Sequence, residues 1–409
     1  MKRLEEYENA YRKLWFDSAV EADDSLWFAA NNLNGIFKAD KETGESKFIT
    51  NFPQYPNSAV RLYIACTLVK RKIVFAPCNA REIAVYDIDK KELNTISLDK
   101  RTVEHCKSAL FFAAFKYERF AYLIGMSYPG ILKIDVETYE VYVIRGPFER
   151  YYIKGKYDYE AHFRHSVTLR DNILYLPAIC ENGLVCMNME NCDYEFLEIL
   201  PKDSKAWDVC IINNRILTWS MDFRISNYDL ETKKIKVTDV ENDGKYSEEG
   251  AYLVPNGSKL WVFRLDSRGV LSYDIETGEI IEEIKDINSF PAGMNQSYSR
   301  YLSDVISLSR CYWDRKYWIF NSMINEFIRI NDFGKIERKC FWADREWNIF
   351  EYTQENNQNV SMIGAESANN DLLLFMALIK SKSMDKDYKG ECFYGKTIYK
   401  KVSSFLQEI

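Results

Sequence analysis

Histidine is almost missing from this sequence: His105, His162 and His165 are the only three in 409 residues. Proline and glycine are also sparse, at 9 and 17, and they gather nowhere into a linker that would divide the chain. No run of about 18 apolar residues occurs, so no membrane-spanning helix is expected. The ten cysteines form no Cys-x-x-Cys pair and sit mostly in or beside apolar runs, which predicts buried reduced thiols and not a disulfide framework. Gly-rich phosphate loops, Gly-x-Ser-x-Gly elbows and His-Glu-x-x-His are absent, and with them the commonest kinase, dehydrogenase and hydrolase designs. A net charge of −7 argues against a general nucleic-acid binder, whose affinity rests on neutralising phosphates. At the N-terminus, Glu5, Glu6 and Glu8 stand where a secretory signal would be apolar, so the expectation is a soluble cytoplasmic protein without a membrane partner.

What the chain has in abundance is aromatic residues: 28 Tyr, 24 Phe and 9 Trp. That composition suits strands, and a chain this long can bury a large core without covalent staples. The stretch from Leu260 to Ile284 displays the repeating unit. An apolar run (Leu260 to Phe263) meets a loop closing on Gly269, then an alternating run (Val270 to Tyr273), the turn Asp-Ile-Glu-Thr-Gly at 274–278, and a further run from Glu279. Period-two alternation marks half-buried strands, and an Asp/Thr/Gly cluster between two of them marks a hairpin turn.

The same turn recurs at Asp40, Asp87, Asp135, Asn188, Asp229, Asp274 and Asn331, with spacings of 47, 48, 53, 41, 45 and 57. A period in the forties with about four strands per repeat signifies a β-propeller, in which each repeat is a blade that cannot bury its faces alone. The unit resembles the repeats of the broad β-propeller superfamily, nearest in style to Kelch-like and streptogramin-lyase-like propellers. It lacks the Gly-Gly doublet of Kelch repeats and the Gly-His and Trp-Asp marks of WD40-like ones. Short apolar runs count the blades a second way: they begin at Leu26, Ile73, Phe120, Ile173, Ile216, Leu260, Tyr317 and Leu372, which makes eight. The expected fold is therefore one all-β propeller domain over residues 1–409. Its eight blades are four-stranded, residues 1–16 supply a ring-closing strand and residues 360–409 an irregular last blade. Seven blades plus an extension is the runner-up.

Connections alternate between the two faces of a propeller. Short polar turns such as those at Asp23, Lys70, Asp171 and Asn213 share one face. The long insertions beginning at Arg145, Lys285, Ala343 and Lys380 fall on the other, which is read as the working face. The insertion from Arg145 to Arg164 carries Arg150, Tyr151, Tyr152, Tyr157 and Arg164. Tyr and Arg combine broad contact with hydrogen bonding and are enriched at binding hot spots. Tyr298, Arg300 and Trp347 repeat that chemistry on later links.

The three histidines precede the innermost strands of blades three and four, and are placed near the channel mouth. With Glu104 or Glu160 they are the catalytic candidates, and the streptogramin-lyase resemblance implies a histidine there beside a divalent cation. No motif carries that family's catalytic residues onto this chain. His-x-x-His on a strand points its rings to opposite sides, so no metal site and no cofactor is expected. Cys106 beside His105 is discounted as an activated thiol for the same reason, and Asp87-x-Asp89 is read as a turn and not a Ca²⁺ loop.

The function expected from the sequence is non-catalytic recognition of a protein or peptide partner through the loop-rich face. The alternatives are a lyase or hydrolase with a His-containing site at the channel mouth, or a propeller binding a glycan or small molecule.

Overall fold

Every one of the seven recurrent turns is closed by its own first side chain. Asp40 Oδ1 accepts from Glu42 N and Thr43 N at 2.9 and 2.7 Å, and Asp274 Oδ1 accepts from Glu276 N and Thr277 N at 2.9 and 2.7 Å. Asp87, Asp135, Asn188, Asp229 and Asn331 cap their turns in the same way. Each turn then leaves through a left-handed residue: Gly44, Lys91, Tyr139, Cys192, Lys233, Gly278 or Gly334, with φ between 58° and 76°. An Asx side chain followed by a positive φ reverses the backbone into an antiparallel partner, so this short motif dictates a strand pair wherever it occurs.

The computed structural model describes residues 12–344 apart from 107–108, 150–162, 164–165, 242–249, 266–268, 285–307, 322–325 and 332. Around the turns the chain builds seven antiparallel four-stranded meanders, whose innermost strands are Val20–Ala22, Tyr63–Val69, Phe111–Tyr117, Thr168–Arg170, Ala206–Ile212, Ala251–Asn256 and Leu308–Trp313. These are the blades of an all-β propeller. The count is seven where the apolar runs predicted eight. The seven Asp/Asn turns had the right number, and the run at Leu372 that supplied the eighth lies outside the described residues.

The second strands read as nearly continuous apolar runs because both faces of a blade are covered. In Lys72–Pro77, Ile73 and Phe75 pack toward the first blade while Val74 and Ala76 pack toward the third. In Lys259–Arg264, Leu260 and Val262 face the fifth blade while Trp261 and Phe263 face the seventh. Seven apolar clusters result, one between each neighbouring pair of blades, and the one joining the seventh to the first closes the ring. The outermost strands, such as Glu92–Ser97, lie largely exposed.

Closure at that last seam is reinforced by chain from both directions. Phe341–Ala343 leaves the seventh blade and pairs parallel to the outer strand Glu45–Thr50 of the first, and Lys13–Leu14 pairs antiparallel beyond it. The sheet these segments join is that of the first blade and not the last. Arg12 donates to the Ala343 carbonyl, and Trp342 N donates to Gly44 O at 2.9 Å. Phe16, fully buried, stacks on Phe28 at 4.0 Å and meets Phe327 and Phe341 at 4.6 and 5.1 Å.

Candidate functional site

The two faces of the ring are built from different connections. On the turn face, Arg71 of the second blade forks onto Asp23 of the first with two bonds of 2.7 Å and reaches Asp89 of its own blade at 3.0 Å. Lys70 bonds Glu137 at 2.9 Å, and Arg170 bonds Asn214 at 2.7 Å. These contacts join first-to-second and third-to-fourth turns of adjacent blades, which confirms that both sets share this face. The second-to-third loops and the links between blades lie on the other, the loop face.

At the loop-face ends of the innermost strands a set of charged side chains converges. Asp208 is the third residue of Ala206–Ile212 in blade five, Leu253 the third of Ala251–Asn256 in blade six, and Arg310 the third of Leu308–Trp313 in blade seven. Arg310 Nη1 donates to Asp208 Oδ2 at 3.2 Å and to the Leu253 carbonyl at 2.6 Å. Leu253 N donates to Asp208 Oδ2 at 2.6 Å, and Val209 N donates to Asp208 Oδ1 at 2.9 Å. Ser166, just ahead of the innermost strand of blade four, bonds Asp208 and also accepts from Val209 N at 3.1 Å. One carboxylate thereby connects four consecutive blades.

Asp208 is fully buried, and the Arg310 side chain is 11% exposed. Burial pushes the Asp208 carboxyl up, while the Arg310 charge and the bonds from Leu253 N, Ser166 and Val209 N pull it back. Burial pulls the Arg310 guanidinium down, but Asp208 and the electron-rich groups of Tyr317, Cys210 and Tyr252 outweigh it and hold it charged. The guanidinium also lies over the Tyr317 ring, 5.7 Å from its centroid.

Beside this pair sits Tyr252, whose hydroxyl is kept protonated first by burial and then by Asp208 and Asp17, against Arg310 and Arg61. Asp17 and Arg61 lie just ahead of the innermost strands of blades one and two, and pair at 3.4 Å. Asp17, Arg61, Asp208, Tyr252 and Arg310 therefore lie within electrostatic reach of one another near the loop-face ends of the innermost strands, the mouth of the ring. A second hollow of about 520 Å³ opens on the same face between blades four and five, lined by Glu181, Asn182, Glu198, Lys202, Asp203 and Lys205 among others. None of its described lining residues is aromatic.

Sequence reasoning missed all five mouth residues. The signal was a charged residue in the third position of an otherwise apolar strand, as in Ala-Trp-Asp at 206–208 and Leu-Ser-Arg at 308–310. A charge is seldom buried unless it is paired, so two such positions should have been read as partners.

The candidates chosen from sequence fare differently. Arg150, Tyr151, Tyr152, Tyr157, Arg164, Tyr298, Arg300, Trp347, Glu160, His162 and His165 lie outside the described residues. The insertion is anchored on either side of Arg150–His162 by Phe148 and Phe163, both buried and packed edge to face at 5.0 Å. His105 ends the short helix Lys100–Glu104, and its Nδ1 lies 2.7 Å from the carbonyl oxygen of Arg101. Glu104 pairs with Lys100 at 3.8 Å on the same turn of helix. Burial pushes the neighbouring Cys106 thiol up to about 11, and Sγ bonds the carbonyls of Thr102 and Ser127, an environment that favours the protonated thiol. Among the described residues no group of three or more His, Cys, Asp and Glu is placed to hold a metal ion.

No family model and no curated protein matches the sequence. In structure the chain is similar to a catalytically inactive virginiamycin B lyase from Staphylococcus aureus with quinupristin, at 12% identity and a TM-score of 0.53, over 76% of this chain and 94% of that one. It is also similar to a streptogramin B lyase, at 13% identity and a TM-score of 0.52, over 80% and 94% of the two chains. BamB from Moraxella catarrhalis aligns at 10% identity with a TM-score of 0.51, over 81% and 89%. At such identities the likeness establishes the class of fold, a β-propeller.

Proposed function

We propose that this protein is a non-catalytic recognition or scaffold propeller that binds a protein or peptide partner through its loop face. The observation that supports this reading is the charged cluster gathered at the loop-face ends of the innermost strands. The turn face is built of short capped turns and ion pairs between blades. The loop face carries the links between blades and, at the mouth, two arginines, two aspartates and a tyrosine. Rigid blades hold these groups in place before any partner arrives, which reduces the ordering cost of binding. The aromatic and arginine residues of the link after blade three, Arg150, Tyr151, Tyr152, Tyr157 and Arg164, belong to this surface in the proposal.

The test is capture from the native cell extract, comparing the wild-type protein with one carrying Arg150→Ala, Tyr151→Ala, Tyr152→Ala and Tyr157→Ala together, both verified as folded. A partner held by the first and lost by the second supports the reading. A partner held equally by both removes that link from the surface.

A further inference from the structure

We infer that Arg310 is the receptor for a carboxylate at the mouth of the channel. The inference rests on the loop-face reading above and gives it a chemistry: the carboxylate is an acidic side chain of the peptide partner, inserted between the innermost strands.

The guanidinium is fixed on two sides and open on the third. Its Nη1 corner is consumed by Asp208 Oδ2 and the Leu253 carbonyl, and its flat face lies on Tyr317. No acceptor among the described residues reaches Nε or Nη2. Those two N–H groups form the edge that matches a carboxylate with two parallel bonds, and an edge held still loses little entropy on pairing. Asp208 balances the charge of Arg310, but its oxygens are bonded to Leu253 N, Val209 N, Ser166 and Nη1 and none reaches the Nε–Nη2 edge. What is left for a ligand is hydrogen-bonding capacity, at a position that retains 11% exposure.

Arg61 adds a second guanidinium to the neighbourhood. It stands near Tyr252 with Arg310, and its own carboxylate partner, Asp17, is held at only 3.4 Å.

The test uses glutarate as the probe, at constant ionic strength, with the Nε–H signal of Arg310 followed by NMR in the intact protein and assigned by its loss in Arg310→Lys. Glutarate is expected to shift that signal and slow its exchange with water, and Arg310→Lys is expected to weaken glutarate binding about tenfold, the cost of a charge-assisted bond. If Arg310→Lys does not fold, protection of wild-type Arg310 from an arylglyoxal, read by peptide mass, gives the same answer. No shift and no protection overturns the assignment, and an equal response to inorganic phosphate overturns its carboxylate character. A failed glutarate response alongside a captured partner removes Arg310 and leaves the recognition reading standing. A glutarate response with no partner captured supports the site and removes the peptide as its source.

Discussion

Asp208 and Arg310 lie 102 residues apart and meet at 3.2 Å across the backbone of Leu253, which donates its N–H to the carboxylate and offers its carbonyl to the guanidinium. The pair spans blades five to seven, so removing one partner strands a buried charge against the middle blade. Asp208→Ala is expected to lower stability by about 3–5 kcal/mol, and the double variant Asp208→Leu with Arg310→Met to recover much of that loss. Thermal and denaturant melts check both. A double variant as unstable as the single one would mean the ion pair itself is indispensable.

The turn aspartates give the fold an acid limit. Bonds from the turn N–H groups, with Thr43 first for Asp40, Glu137 for Asp135, Thr232 for Asp229 and Thr277 for Asp274, hold these carboxyls below the usual carboxylate value. Their folded values are depressed, so their contribution is present above the unfolded value near pH 4 and is lost as pH falls through the folded values. The melting temperature is expected to stay level from neutral pH to about pH 5 and to fall below about pH 4. Asn188 and Asn331 cap the same turn without titrating. Replacing Asp40, Asp135, Asp229 and Asp274 together by Asn should therefore blunt the fall, and an unchanged fall would locate the acid limit elsewhere.

Two turn glycines separate backbone strain from crowding. Gly44 and Gly334 have φ of +76° and +74°, but a Cβ on Gly44 would lie 2.1 Å from the Cys340 carbonyl oxygen while one on Gly334 would meet nothing within 4 Å. Gly334→Ala is expected to cost about 1 kcal/mol, and Gly44→Ala clearly more, because it also pushes the strand Phe341–Ala343 off the first blade. Equal costs in denaturant melts would show that this strand adds nothing to closure.

The aromatic seam is the other half of closure. Phe16→Ala removes a fully buried ring in contact with Phe28, Phe327 and Phe341, and is expected to cost about 3–5 kcal/mol. Hydrogen exchange should quicken first in blades one and seven, and uniform quickening around the ring would contradict a seam at this point.

The fold was legible wherever a local motif dictates backbone direction. The Asx cap and the left-handed residue after it lie within five residues of each other, so Asp40 to Gly44 announces a strand reversal with no knowledge of the rest of the chain. Apolar runs were a poorer counter, since a run such as that at Leu372 carries no turn chemistry with it. The mouth was not legible because its members belong to five blades and meet only when the ring closes. Asp208 reads as one polar break in an apolar strand until Arg310 is brought beside it. His105 closes its own helix, with Nδ1 at 2.7 Å from the Arg101 carbonyl oxygen.

The measurement that tests recognition by the loop face most directly is a hydrogen-exchange footprint of the protein with and without its captured partner. Slower exchange is expected at the loop-face starts of the innermost strands, around Arg61, Asp208, Leu253 and Arg310, with the turns at Asp40, Asp87 and Asp274 unchanged. Protection of those turns, with the mouth unaffected, would place the partner on the opposite face and contradict the account.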